Sequence, residues 1–105
     1  MKQILEKLLK FRDDRNWNQF HTPENLAKSI SIEASELLEN YQWGNKNTDI
    51  KNIKEEVADI FSYLLLLCNS LEIDLIDVTN DKIKKNKEKY PIDKAFGTSK
   101  KYNKL

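Results

Sequence analysis

Four carboxylates in two matched pairs are the residues of this sequence best placed to do chemistry. Glu33 and Glu36 stand three positions apart, and so do Glu56 and Asp59. On a helix, that spacing puts both members of a pair on one face. Each pair also interrupts an apolar stripe. Leu26, Ile30, Glu33 and Leu37 follow the 4-3-4 spacing of a single inward face, and Glu56, Ile60, Tyr63 and Leu67 make a similar one. Burying an unpaired carboxylate is costly, and four together would also repel one another. Protonation, basic partners or bound cations would relieve the cost. Lys28 and Lys54 fall outside the stripes, which leaves cations as the favoured remedy. Four oxygen-bearing groups suit a hard divalent ion such as magnesium, with manganese as a substitute. A di-iron bundle would want Glu-x-x-His pairs, and the only histidine, His21, falls in a loop. The plainer alternative is that these four are surface charge at the edge of each stripe, as Glu39 and Glu55 are expected to be.

A phosphate substrate would explain such a cluster. A nucleoside triphosphate carries about four negative charges, so ionised carboxylates would repel it without intervening cations. Magnesium would neutralise the site, orient the polyphosphate and lower the pKa of an attacking water, and a remaining carboxylate could accept that water's proton.

The elements that must position these groups are helical. Two Gly and two Pro in 105 residues leave little turn chemistry for a many-stranded fold. The periodicity predicts a first helix over about 2–15, with Ile4, Leu5, Leu8, Leu9 and Phe11 on its apolar face. An irregular aromatic stretch comes next, Trp17 to His21. Thr22 and Pro23 signal the start of a second helix, a hydroxyl cap before a proline at the first position, which runs to about Tyr41. Trp43 to Asp49 reads as a polar connector, with Thr48 or Asp49 capping a third helix over about 50–71. Asp74 caps a fourth, and Pro91 stops it. The polar, basic stretch from Ile92 to Leu105 is assigned no structure. The expected architecture is all-α, an antiparallel four-helix bundle, with residues 1–95 as one domain and 96–105 as a basic tail. So short a chain buries a modest core, which favours assembly into an oligomer through helix faces.

Lys plus Arg (18) nearly balance Asp plus Glu (17). A formal charge of +1 supplies no global field for a nucleic acid polymer. The lone Cys68 lies in the run Tyr63–Cys68 and reads as a buried thiol. The N-terminus has no long apolar core, and the apolar run after Asp59 is too short to span a membrane. A cytoplasmic protein is expected.

Taken with their context, the acidic pairs resemble the signature of the MazG-like all-α nucleoside triphosphate pyrophosphohydrolases, and especially the branch containing the dCTP pyrophosphatases. That signature places Glu-x-x-Glu on one helix and Glu-x-x-Asp on the next, here Glu33–Glu36 and Glu56–Asp59. Asn16 to Leu26 is similar to the aromatic entry segment of the branch. Tyr41-Gln42-Trp43 falls where the family often has Phe-Gln-Trp, and Asn86 to Pro91 matches an Asn-x-x-x-Tyr-Pro element. The branch often has a His in the first helix, near the position of Leu8 here.

The resemblance implies that Glu33, Glu36, Glu56 and Asp59 bind magnesium around the triphosphate. It also assigns base recognition to Asn86 and Tyr90, places Tyr63 in the nucleotide pocket and brings Lys82 to the phosphates. Trp17 and Trp43 offer faces on which a base can stack, and His21 could contact a phosphate. Lys82 belongs to a basic run whose plainer reading is a solvated face. The implied reaction is hydrolysis to nucleoside monophosphate and pyrophosphate, with dCTP or a modified dCTP as the leading substrate, in a tetramer or dimer that cleanses the nucleotide pool. A non-catalytic metal- or nucleotide-binding module, or a hydrolase of dUTP or another polyphosphate, are the alternatives.

Overall fold

The computed structural model describes residues 1–44 and 49–105. Among these every regular element is helical and no strand occurs, so the all-α expectation holds. The described chain divides into two compact units, Met1–Ile73 and Asp74–Leu105.

The first unit holds three helices: α1 (Lys2–Asp14), α2 (Pro23–Glu39) and α3 (Ile50–Ser70). The closure of α1 sets the course of the chain beyond it. Asn16 takes a left-handed backbone, φ 54°, which Asn tolerates better than most residues. This lets the Asn16 N–H donate to the Asp13 carbonyl at 3.1 Å and the Trp17 N–H to the Arg12 carbonyl at 3.0 Å. The carbonyls left over at the helix end are thus satisfied, and Trp17 is turned back over α1. One 3₁₀ turn, Asn18–Phe20, then delivers the chain to His21.

The start of α2 is as the sequence predicts. Thr22 Oγ1 accepts the Asn25 N–H at 3.2 Å, and Pro23 occupies the first turn. The helix closes at Glu39, two residues before the expected Tyr41, because Asn40 folds its side chain toward the Leu37 carbonyl and across to Asn52 Oδ1, 2.9 Å away. Asp49 caps α3 by accepting the Asn52 N–H at 3.1 Å; Thr48, the other candidate cap, lies outside the described residues. The end of α2 therefore meets the start of α3, and Glu33 meets Glu56 and Asp59 further along. The two helices run antiparallel, and they are the principal packing pair of this unit, with α1 laid against α3.

The core is small. Leu26, Leu65, Leu66 and Cys68 are buried, and Cys68 is the sequestered thiol that its apolar surroundings suggest. Ile4 and Phe11 on α1, Ile32 and Leu38 on α2, and Val57 and Phe61 on α3 stay exposed in the single chain. A groove of about 440 Å³ between α1 and α3 is lined by Ile4, Leu8, Phe11, Ala58 and Phe61 among others. No described helix is long and apolar enough to cross a membrane.

The second unit contains α4 (Leu75–Lys89), capped by Asp74 Oδ1 accepting the Asp77 N–H at 3.0 Å, and it ends just before Pro91. The region assigned no structure from sequence forms a one-turn helix, α5 (Ile92–Ala95), and a 3₁₀ turn at Tyr102–Lys104. The tail is anchored by aromatic packing: Tyr102 meets Tyr90 edge-on, centroids 6.2 Å apart, and Lys89 Nζ sits 4.9 Å from the Tyr102 ring centre.

Replacing the α2 cap tests this local account. Thr22→Ala should lower unfolding free energy by about 1 kcal/mol, whereas Thr22→Ser should be nearly neutral, as measured by urea denaturation followed by circular dichroism.

Candidate active site

The antiparallel pairing of α2 and α3 brings their acidic groups together. One carboxylate oxygen each from Glu33, Glu56 and Asp59 lies within 4.8 Å of the others. Glu33 and Glu56 are half-buried and Asp59 is exposed. The Oε2 atoms of Glu33 and Glu56 are buried without a hydrogen-bond partner, and no ion pair among the described residues reaches them. Orphaned carboxylate oxygens crowded in this way are what a hard divalent cation relieves, so the donor set fits one.

Electrostatics express the same crowding. The Glu33 carboxyl is pushed up from 4.5 to about 7, first by burial, then by the neighbouring Glu56 and Glu36 carboxyls and the charges of Glu36 and Asp59. Glu36 itself is exposed, one turn along α2, and lies outside the three-oxygen cluster while still acting on Glu33. Three of the four expected carboxylates therefore converge, and the fourth stands beside them.

Next to Asp59 opens a cavity of about 240 Å³. Trp17, His21 and Tyr63, all expected at a substrate site, line it. Trp17 is held edge-on to Phe11 with centroids 5.7 Å apart, and His21 edge-on to Tyr63 at 6.4 Å. Burial raises the Tyr63 phenol, helped by the charges of Glu33, Asp59 and Glu36, so its hydroxyl keeps its proton and remains a donor. Burial lowers the His21 imidazole, with the Arg12 charge adding to the effect, and its Nδ1 is buried without a partner.

The remaining expected residues lie elsewhere. Trp43, in the turn after α2, is 82% exposed and does not line this cavity. Lys82, Asn86 and Tyr90 belong to the second unit, four residues apart along one face of α4 and its end; Lys82 and Asn86 are exposed, and Tyr90 is half-buried near Tyr102.

The cavity also has walls that the sequence did not assign to a site. Leu8, Phe11 and Arg12 come from α1, and Ser62 and Leu66 from α3. The Arg12 side chain is only 16% exposed, and its Nε donates to Asp13 Oδ1 at 2.8 Å. A signal existed: Leu5, Leu8 and Arg12 continue a 3-4 spacing, so a charge interrupts the apolar stripe of α1 much as Glu33 interrupts that of α2.

Comparison with known proteins gives consistent results. The MazG-like family model matches residues 28–105. The chain is similar to dCTP pyrophosphatase 1 of Homo sapiens, 32% identical over 104 residues, and to that of Mus musculus, 30% identical over 104. Each alignment covers 90% of this chain, which spans only 61% of the length of those relatives. Among solved structures, a pyrophosphatase from Archaeoglobus fulgidus is 43% identical, with a TM-score of 0.82 over 87% of this chain and 92% of that one.

The raised Glu33 carboxyl makes a signed prediction. Without metal, its contribution to stability is fully present below about 4.5 and is lost as pH rises through about 7. With EDTA present, the melting temperature of the wild type relative to Glu33→Gln should therefore fall between pH 5 and pH 8. Millimolar magnesium should restore the wild type at pH 8 and do little for the variant.

Proposed function

The chain belongs to the MazG-like family, and from that premise we propose that it is a magnesium-dependent hydrolase of deoxynucleoside triphosphates, releasing nucleoside monophosphate and pyrophosphate. The observation that carries this reading is the pairing of orphaned carboxylate oxygens with an adjoining aromatic cavity. The similarity to dCTP pyrophosphatases supports dCTP or a modified dCTP as the leading substrate, and a role in cleansing the cytoplasmic nucleotide pool.

Glu33, Glu36, Glu56 and Asp59 would hold the magnesium, with manganese as a substitute. Bound there, the metal would offset the charge of the polyphosphate and acidify the attacking water. The chain's own groups do the rest. A free oxygen of one of these four carboxylates takes the proton of the water as it attacks the α-phosphorus, and the bond to the bridging oxygen breaks to release pyrophosphate. The Tyr63 hydroxyl donates, the neutral His21 offers its unpartnered Nδ1, and Trp17 packs against the nucleoside. Trp43, Lys82, Asn86 and Tyr90 are assigned to base and phosphate contacts through the family motifs they match. Residues 1–95 form the catalytic domain, and 96–105 the tail. The exposed apolar residues of α1 and α3 support association with further copies, as a dimer or tetramer.

The test is pyrophosphate release from a panel of canonical and modified triphosphates. Turnover should require magnesium and vanish in EDTA, with label from ¹⁸O-water appearing in the monophosphate. Glu56→Gln and Asp59→Asn should each lower kcat by roughly a hundredfold or more while helical circular dichroism is retained. A folded, magnesium-loaded wild type that binds nucleotides without turning them over would replace the hydrolase with a binding module. Preferential turnover of dUTP would keep the reaction and change the substrate.

A further inference from the structure

We infer that Arg12 is a specificity-determining residue, whose guanidinium reads a nucleobase presenting two adjacent hydrogen-bond acceptors. The inference rests on the proposed hydrolase reading and deepens it. Arg12 is a positively charged wall of the cavity that adjoins Asp59, and its side chain is largely buried there. Its Nε–H is committed to Asp13 Oδ1 at 2.8 Å. Among the described residues neither terminal nitrogen donates to the protein, which leaves the paired N–H groups of the Nη1/Nη2 edge for a ligand. Neither terminal nitrogen is among the buried side-chain atoms without a partner, so both keep solvent access that a ligand could use.

The lining of the cavity carries both signs of charge, Asp59 and Arg12. Around Tyr63 the dominant charges are Glu33, Asp59 and Glu36, whereas at His21 the resolved charge is Arg12. A triphosphate held through metal at the acidic cluster would send its base toward Trp17 and Arg12. Leu8 and Leu66 offer apolar walls for the ring, and Arg12 is the cationic residue of the same lining.

A guanidinium edge donates twice and accepts nothing, so it selects by acceptor pattern. Cytosine offers O2 and N3 side by side, and guanine offers O6 and N7. Uracil and thymine set an N–H between their carbonyls, and adenine places an amino donor beside each accessible ring nitrogen. Facing Arg12, these last three would oppose donor to donor. Discrimination by one bidentate contact is worth roughly ten- to a hundredfold.

The experiment measures kcat/KM for dCTP, dGTP, dUTP and dATP with magnesium, in wild type, Arg12→Lys and Arg12→Ala. Ratios between substrates within one preparation do not depend on the fraction folded, so loss of stability in a variant does not confound them. The wild type should favour dCTP, dGTP or both over dUTP and dATP by about ten- to a hundredfold. Arg12→Lys, which keeps the charge but loses the fork, should bring that ratio close to one, and so should Arg12→Ala. Which of dCTP and dGTP leads identifies the base edge that is read. A wild type without this preference overturns the inference. So does an unchanged ratio in both variants, or a uniform loss across all four substrates, which would move Arg12 to the phosphates. If the wild type hydrolyses none of them, the hydrolase reading fails separately. Calorimetric binding of dCMP and dGMP against dUMP and dAMP to wild type and Arg12→Lys then decides the same question: a preference lost in the variant sustains the inference, and its absence or persistence overturns it.

Discussion

Like charges held on facing helices raise one another's energy, and the pairing of α2 with α3 is built around that conflict. Glu33 points at Glu56 and Asp59 from the opposite helix, where water is too scarce to solvate every oxygen. Its carboxyl answers by holding a proton to about 7. Hydrophobic packing has to hold the arrangement against this repulsion. Leu26, Leu65 and Leu66 do so from the core, and the Asn40–Asn52 hydrogen bond ties the end of α2 to the start of α3. A divalent cation would turn the same repulsion into cohesion, so the site and the stability of the helix pair are one energetic question.

The cavity depends on a second, quieter constraint at the end of α1. A helix leaves its last carbonyls without partners, and the chain here satisfies two of them by passing through a left-handed Asn16. That reversal brings Trp17 against Phe11 and starts the short path to His21. Aromatic walls, an imidazole and an arginine are thereby gathered from a stretch of about ten residues, in one lining with Asp59 and Tyr63 of α3. The local rule that closes one helix also shapes the space beside the acidic cluster.

Small cores leave apolar surface to spare. Ile4, Phe11, Val57 and Phe61 remain exposed on the first unit, while fewer side chains are fully sequestered than four amphipathic helices would suggest. Chains of this size have a high ratio of surface to volume, and burial against another copy is the usual physical remedy. The tail is held by a different device, Lys89 and Tyr90 packed around Tyr102, rather than by a core of its own.

Much of this was legible in residue order because it is governed by local rules. The caps at Thr22, Asp49 and Asp74, the stop at Pro91 and the helical periods depend on neighbours within a few positions. The acidic pairs were legible too, since a carboxylate interrupting an apolar stripe signals its direction whatever lies opposite. The one-turn helix at Ile92–Ala95 was not, because so short a segment has no periodicity to read. Only the tertiary structure could decide which carboxylates meet, leaving Glu36 beside the cluster rather than in it. It alone joined Arg12 and Ser62 to one cavity and left Trp43 facing solvent. Residue order determines the face on which a side chain stands; the distance across to another helix depends on register and crossing, which are set by the packing of residues far apart in the chain.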